Sequence, residues 1–237
     1  MTRRRQPAGR RPLDRGDELT VVSAADMAVS RTRKRTPRRV RTNGGAAERA
    51  RASTRARLRA SGQKLLAERG LHAVTSHDIA DAAGVAAGTF YLHFRDKEEL
   101  FRELVFEAVA ELEQRLETAV HPLRERAEAA ARARAEVLLA FAEQHGELVR
   151  LAFGRGAEAA SVGADALDQL VARFERELVA QRKMRAGLHP AVTAQAIVGM
   201  WARVVTWWAE APGRAPRAAV LQTLVDLQLS GIRGGPA

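Results

Sequence analysis

The residue types that perform catalysis or bind metals are few in this sequence, and they are scattered. The chain has no cysteine, which excludes disulfides, thiolate metal sites and cysteine nucleophiles. Its six histidines lack paired metal-ligand spacing, and neither a glycine-rich phosphate loop nor a His-Glu-x-x-His motif occurs. Glutamates over 103–117 recur at helical spacing, which is typical of a solvated helix face. We therefore predict that the protein is not an enzyme and that it carries no metal and no cofactor.

One segment has the spacing of a DNA-reading element. Two short helices are predicted there, over 76–83 and 86–93, and Gly84 separates them. Thr75 and Asp78 form a capping-box pattern at the start of the first of these helices. Two short helices joined by a glycine-containing turn are typical of a helix-turn-helix, whose second helix lies in the DNA major groove.

The second short helix has a buried side and a side available to DNA. Phe90 and Phe94 are four residues apart, so they share a face that would anchor the helix to its domain. The opposite face presents Ala87, Thr89, Tyr91, Leu92 and His93. Few of these side chains can donate two hydrogen bonds to one base. We therefore hypothesise that base discrimination rests on packing of Tyr91, Leu92 and Ala87 against thymine methyl groups.

The rest of the compact sequence predicts helices almost throughout. From Arg49 onward apolar residues recur at helical spacing, and no segment alternates with a period of two. We predict an all-α protein with a three-helix domain over 49–98 and a helical bundle over 99–237. Pro122 and Pro190 fit the first turns of helices, where a missing amide costs nothing. The longer predicted helices cover 49–69, 96–119, 122–144, 146–152, 162–185, 190–209 and 216–230.

The positive charge is concentrated at the start of the chain. Of the net charge of +11, residues 1–50 carry +9 and lack aromatic side chains entirely. This composition predicts that 1–48 form a disordered, arginine-rich arm. The arm suits a phosphate backbone, and we hypothesise that it adds DNA affinity. The alternatives are a solvated tail or an over-extended start that precedes Met27. No apolar run is long enough to cross a bilayer, so we expect a cytoplasmic protein.

The last two predicted helices are apolar on more than one face. Such helices must bury both faces, either inside their own domain or against a second subunit. We predict a homodimer and leave core packing as the alternative. The residues predicted to form the dimer interface are Val204, Trp208, Leu221, Leu224 and Val225.

Several short motifs resemble the DNA-binding domain of the TetR/AcrR family of transcriptional repressors. They are Ala67-Glu-Arg-Gly70, Asp78-Ile-Ala80, Ala83-Gly-Val85, Gly88-Thr-Phe-Tyr91, His93-Phe94 and Lys97-Glu-Glu-Leu100. The resemblance covers 54–105. Residues 145–153 and the tryptophan-bearing penultimate helix are more loosely similar to the ligand-binding and dimerisation half of AcrR-like members. The arm lies outside the resemblance.

The resemblance implies a set of DNA contacts around the two short helices. Gly88 would let the backbone approach DNA closely, and Lys97 would clamp a phosphate with the free amides of the next helix. Ala86 stands where the family usually has a serine cap, and His77 stands where arginine is common. The residues implied to contact DNA are Thr75, Ser76, His77, Ala87, Gly88, Thr89, Tyr91, Leu92, His93 and Lys97.

The function implied is a ligand-responsive repressor, with an activator as a variant. A two-fold dimer would place its reading helices in successive major grooves, roughly 34–36 Å apart, on a pseudo-palindromic site. A small hydrophobic effector would act through the helix 96–119, which joins the two domains. The predicted pocket residues are Leu104, Leu138, Phe141, Phe174 and Trp201. The alternative is an architectural, nucleoid-associated DNA-binding protein of low sequence specificity.

Overall fold

Helices form close to where the apolar spacing and the caps predict them. The computed structural model describes residues 43–154, 160–181 and 187–230, and no strand occurs within these ranges. This confirms the all-α prediction. Short 3-10 turns lie at His121–Leu123 and Pro212–Arg214. The α-helices of the described residues are α1 Asn43–Arg69, α2 Ser76–Ala82, α3 Ala87–Tyr91, α4 Lys97–Val120, α5 Ala127–Gln144, α6 Gly146–Phe153, α7 Ala160–Gln181, α8 Pro190–Glu210 and α9 Arg217–Ser230.

Helices α1 to α3 and the first half of α4 surround one apolar core. Close packing between α1 and α4 depends on Gly62, because a Cβ there would lie 2.6 Å from a methyl carbon of Leu100. The largest fully buried side chains of this core are Leu58, Leu66, Val74, Ile79, Phe90, Phe94, Leu100 and Phe101. The core fixes the position of the two short helices relative to the longer ones.

Two helix starts differ from the sequence-based expectation. Helix α1 begins at Asn43, so 43–48 are helical where the sequence predicts part of a disordered arm. Alanines and a glutamate in this stretch favour helix, and the Arg49 Nε donates to the carbonyl oxygen of Gly45 over 2.9 Å. Residues 1–42 of the predicted arm lie outside the described residues. Helix α5 begins at Ala127 rather than at 122, because the backbone at Arg126 leaves the helical region.

The second half of α4 continues into a bundle with the C-terminal helices. Helix α5 packs between α4 and α9, while α8 packs against α6 and α7. Pro190 occupies the first turn of α8, as its fixed φ predicts. Within the described ranges, the helices are too short or too polar for any of them to cross a membrane.

The residues predicted to form a dimer interface lie inside the subunit instead. Trp208 and Leu221 are 4% exposed, Leu224 and Val225 are 1% exposed, and Val204 is half-buried against the same cluster. Helix α9 buries its apolar face on α5, so the apolar side chains of the last two helices have partners within their own chain. Core packing, the alternative reading of these residues, therefore corrects the predicted interface.

The glutamates of α4 connect helices, which corrects the expectation of a solvated face. Each of four glutamates spaced along α4 contacts a polar side chain on α1 or α7. The pairs are Glu103 with Arg55, Glu107 with Arg59, Glu113 with Gln169, and Glu117 with Arg173. Helix α4 is thus tied to the DNA-binding domain at one end and to α7 at the other.

A histidine at the α5–α6 junction makes stability depend on pH. The His145 ring stacks on Phe141 with a centroid distance of 4.5 Å, and its Nε2 lies 3.3 Å from the Glu111 Oε2. Burial, together with nearby Arg115, lowers the pKa of His145 below 6.5 although Glu111 opposes the shift. Below about pH 6.5 the unfolded chain therefore takes up a proton at this position that the folded chain does not.

We expect stability to fall as the pH drops through this window. The urea midpoint should decrease from about pH 7.5 to about pH 5.5, and His145→Gln should reduce that decrease. Urea unfolding followed by circular dichroism at both pH values measures the difference. Equal slopes for the variant and the unmodified chain would contradict the assignment of the effect to His145.

Candidate DNA-binding surface and ligand cavity

The turn between α2 and α3 is built by a cap and a glycine. The Thr75 Oγ1 accepts a hydrogen bond from the Asp78 amide at 3.1 Å, and the Asp78 carboxylate accepts one from the Thr75 amide at 2.8 Å. This confirms the predicted capping box. Gly84 has a φ of 66°, a conformation that glycine adopts without strain. The turn therefore fixes the direction in which α3 leaves α2.

Helix α3 is shorter than the predicted 86–93 and begins without a side-chain cap. Ala86 is its N-cap residue and makes no side-chain hydrogen bond, as its sequence predicts. The helix ends at Tyr91 because the next amides turn inward: the amides of His93 and Phe94 both donate to the carbonyl oxygen of Phe90 at 2.9 Å. His93 and Phe94 thus lie in the turn that follows the helix.

The side chains around α3 divide into an anchoring face and an outward face. Phe90 and Phe94 are fully buried, and their ring centroids are 5.6 Å apart. Tyr91 is 60% exposed and Leu92 is 70% exposed, although both are large and hydrophobic. Two large side chains at the surface of so small a helix form the kind of apolar patch that marks a binding surface.

None of the ten residues predicted to contact DNA is buried. Thr75, His77, Gly88, Tyr91 and Leu92 are exposed, whereas Ser76, Ala87, Thr89, His93 and Lys97 are half-buried. They belong to the start of α2, to α3 with its following turn, and to the start of α4. The fold therefore brings them to one region of the DNA-binding domain.

Two arginines of α1 hold the C-terminal end of α3, and sequence reasoning missed both. The Arg55 Nη1 donates to the carbonyl oxygen of His93 at 2.7 Å, and the Arg51 Nη2 donates to that of Leu92 at 3.3 Å. The Arg55 guanidinium also lies 4.3 Å from the Phe94 ring centroid and pairs with Glu103 of α4. Arg55 thus links α1, the turn after α3 and α4 in one contact set.

A signal for these arginines is present in the sequence. Arg51, Arg55 and Arg59 recur every four residues on α1, and Glu103 and Glu107 recur every four residues on α4. Complementary charges at the same helical period predict two helices that pair side by side. Only knowledge that α1 and α4 are neighbours turns this pattern into a specific contact.

The two histidines near the surface differ in their surroundings. Partial burial, with Arg51 and Arg55 nearby, lowers the pKa of His93, so its ring is neutral at pH 7. His77 is exposed, and its Nδ1 lies 3.1 Å from the Asp81 Oδ2 one turn along α2. A neutral His93 can donate or accept one hydrogen bond, but it does not attract phosphate by charge.

Lys97 is held by the protein more strongly than the sequence suggests. Its Nζ donates to the carbonyl oxygens of Leu71 at 2.6 Å and Val74 at 2.8 Å. The Asp96 carboxylate caps α4 by accepting from the Glu99 amide at 2.7 Å. Lys97 therefore ties α4 to the connection between α1 and α2, and one of its three N–H donors remains for a phosphate. The expected clamp by Lys97 together with free amides is corrected to this smaller contribution.

A cavity of about 90 Å³ lies between α4, α5, α7 and α8. Leu138, Phe174 and Trp201 line it, as predicted for the pocket. Leu104 and Phe141 do not, which corrects that part of the prediction. Leu104 faces the core of the DNA-binding domain, and Phe141 packs in the bundle core beside the α5–α6 junction.

The rim of this cavity is rich in cations. The Glu117 carboxylate accepts from Arg124 and Arg173 at 2.9 Å each and lies 3.0 Å from the His121 Nδ1. The hydrogen bond with His121 and the charges of Arg124 and Arg173 hold the pKa of Glu117 below its ordinary value. One carboxylate is thus shared by three basic side chains.

A second, larger cavity of about 330 Å³ adjoins the first. Arg134 and Glu177 line both, and the Arg134 Nη2 donates to the Glu177 Oε1 at 2.9 Å. The Arg134 guanidinium also lies 4.7 Å from the Phe174 ring centroid. Burial lowers the pKa of Arg134 although Glu177 opposes the shift. The pair and the ring beneath it form the wall between the two cavities.

The sequence comparisons match the DNA-binding domain. Residues 58–104 match the family model described as bacterial regulatory proteins, tetR family. Over 76 residues the chain is 40% identical to the HTH-type transcriptional repressor KstR2 of Mycolicibacterium smegmatis. That match covers 30% of this chain and 37% of the repressor, so it spans little more than a third of the length of this relative.

Solved structures extend the similarity to the whole described fold. The fatty acid degradation regulator FadR of Bacillus halodurans superposes with a TM-score of 0.65 at 21% identity, covering 76% of this chain and 96% of that chain. FadR of Bacillus subtilis in complex with stearoyl-CoA superposes with a TM-score of 0.56 at 21% identity, covering 75% and 98%. At these identities the similarity shows a shared fold.

Proposed function

Because residues 58–104 place this chain in the tetR family of bacterial regulatory proteins, we propose that it is a sequence-specific DNA-binding regulator. In its simplest form it is a repressor that binds a pseudo-palindromic operator as a dimer and responds to a small molecule. The observation that carries the proposal is the outward position of Tyr91 and Leu92 above the buried Phe90 and Phe94. A helix anchored from beneath and apolar on its exposed side fits the major groove.

Phosphate contacts in this proposal come from the margins of the reading helix. Thr75 and His77 at the start of α2 and the remaining donor of Lys97 flank α3 on the exposed side. Such contacts position the protein on the duplex, while α3 reads the bases. Apolar contacts from Tyr91 and Leu92 would favour thymine, whose methyl group lies in the major groove.

The proposed dimer uses the surfaces of α8 and α9 that the subunit leaves exposed. Gly199 and Arg203 lie on the exposed side of α8, and Ala219 and Thr223 lie on that of α9. Small side chains at these positions allow two helices to approach closely. A two-fold axis there would make the contact self-complementary and would repeat α3 on a symmetric site.

The proposed effector is a hydrophobic small molecule that binds in the bundle. The wall of the inner cavity is mainly apolar, with Leu138, Phe174 and Trp201 among its side chains. Support comes from the Bacillus subtilis FadR structure, which contains stearoyl-CoA. Helix α4 would transmit binding, because Glu117 lies at the cavity and Glu103 pairs with Arg55 beneath α3. The ligand would act by favouring the arrangement to which it binds more tightly.

Selection of bound duplexes from a random DNA pool tests the proposal. We expect enrichment of one sequence with two-fold symmetry, whose half-sites lie about one helical turn or a multiple of it apart. The matched control is a chain with Tyr91→Ala and Leu92→Ala, which should enrich a weaker or different motif. A pool that shows no enriched motif after repeated selection would contradict sequence-specific binding.

A further inference from the structure

We infer that the effector is an amphipathic anion, with an apolar body in the inner cavity and a carboxylate or phosphate head on Arg134. This inference rests on the proposed ligand-responsive function and specifies the chemistry of that ligand. It follows from the charge of the lining, from the hydrogen-bonding capacity of one buried guanidinium, and from the shape of the two adjoining cavities.

The charge of the lining favours an anion. The inner cavity is lined by three arginines, Arg124, Arg134 and Arg173, and by two glutamates, Glu117 and Glu177. The lining therefore carries one excess positive charge even with its histidine neutral. A cationic head would add to this excess, whereas an anionic head offsets it in a region where charges are weakly screened.

The Arg134 side chain is built to receive a second acceptor. A guanidinium has five N–H donors, and the hydrogen bond to Glu177 uses one of them, at Nη2. The side chain is only 11% exposed, so water has little access to the remaining donors. A buried charge is costly unless it is well hydrogen-bonded. A carboxylate or phosphate oxygen placed against the guanidinium would supply the missing acceptor.

The cavities provide space for an apolar body on both sides of this arginine. The inner cavity has about 90 Å³ and is walled by side chains such as Leu138, Leu170 and Trp201. The outer cavity has about 330 Å³ and includes Leu178 and Leu229. Known ligand pockets span about 300–1,000 Å³, so a ligand longer than a few carbon atoms must occupy space on both sides. Its polar group would then lie at the shared wall, where Arg134 is.

The same head group would be coupled to the DNA-binding domain through Glu117. This carboxylate of α4 binds Arg173 of α7 at 2.9 Å, so α4 and α7 are linked at the cavity rim. An anion near Arg173 competes with Glu117 for that guanidinium. Binding of an anion would therefore weaken the link between α4 and α7, which a neutral ligand of the same shape would leave intact.

The test compares three probes that share one eight-carbon chain and differ in charge. Octanoate, octanol and octylammonium are titrated into the full chain by isothermal calorimetry at one salt concentration. We expect octanoate to bind about tenfold or more tightly than octanol, the effect of roughly one charge-assisted hydrogen bond, and octylammonium to bind most weakly. Equal affinities for octanoate and octanol, no binding of octanoate, or tightest binding of octylammonium would each overturn the inference.

Variants assign the preference to Arg134. The double variant R134Q/E177Q removes both charges while keeping amide groups that can hydrogen-bond, and it should bind octanoate and octanol equally. Arg134→Lys keeps the charge without the forked geometry and should retain a reduced preference. Arg176→Gln removes an exposed arginine of α7 outside the cavity and should leave the preference unchanged. Circular dichroism confirms that each variant is folded. A preference that survives in folded R134Q/E177Q would overturn the assignment.

DNA binding, measured separately, distinguishes the two proposals. If the chain binds its selected duplex but shows no preference for octanoate, the inference about the effector fails and the proposed regulator stands. If octanoate binds with the expected preference while no duplex sequence is selected, the proposed regulator fails. The ligand chemistry then stands by itself.

Discussion

Replacing Tyr91 by alanine should lower the affinity for the selected duplex by roughly tenfold to a hundredfold, the range expected for loss of a base contact. The side chain is 60% exposed and meets its own protein mainly through an edge contact with Phe90, at 5.5 Å between ring centroids. Its removal should therefore change the stability of the fold little. Fluorescence anisotropy with a labelled duplex measures the affinity, and urea unfolding checks the stability.

The phenylalanine variant separates two explanations of that loss. Tyr91→Phe keeps the ring and removes the hydroxyl group, so it should retain most of the affinity if packing against thymine methyl groups dominates. A loss as large as that of Tyr91→Ala would instead assign the contact to the hydroxyl group. Unchanged affinity in Tyr91→Ala would contradict the placement of α3 in the major groove.

Replacing Phe94 by alanine should reduce the free energy of unfolding by about 3–5 kcal/mol, the usual cost of deleting a buried aromatic ring. Phe94 is 1% exposed, packs against Phe90 and lies under the Arg55 guanidinium. Its loss removes the floor of the recognition helix, so DNA binding should be lost together with stability. Chemical unfolding followed by circular dichroism measures the first effect and anisotropy the second.

A matched control shows whether the loss belongs to the position. Phe106 lies on the same core but is only partly buried, so Phe106→Ala should cost less stability and should leave DNA affinity close to that of the unmodified chain. Equal destabilisation by the two substitutions, or sequence-specific binding preserved in Phe94→Ala, would contradict the anchoring role of Phe94.

The sequence predicts most helices because their apolar residues recur at one period and their ends carry recognisable caps. The capping box at Thr75 and the turn at Gly84 depend on neighbours within a few residues, and both form as predicted. The exposure of Tyr91 beside the burial of Phe90 follows in the same way from a helical period. Local chemistry therefore determines the DNA-reading element almost completely.

The contacts between distant segments are what the sequence does not determine. Arg55 meets Glu103 across 48 residues, and Lys97 meets the carbonyl oxygen of Leu71 across 26. Each of these side chains is equally consistent with a solvated surface until the neighbouring helix is known. The apolar residues of α9 illustrate the same limit, because periodicity shows that a face is buried but not what buries it.

The affinity ratio between the selected duplex and a scrambled duplex of equal length tests the central claim most directly. Both are measured by anisotropy at one salt concentration, because phosphate contacts make each affinity salt-dependent. The proposed regulator predicts that the selected duplex binds roughly a thousandfold or more tightly. A ratio below about tenfold would contradict sequence-specific reading by α3 and would match the architectural, low-specificity alternative.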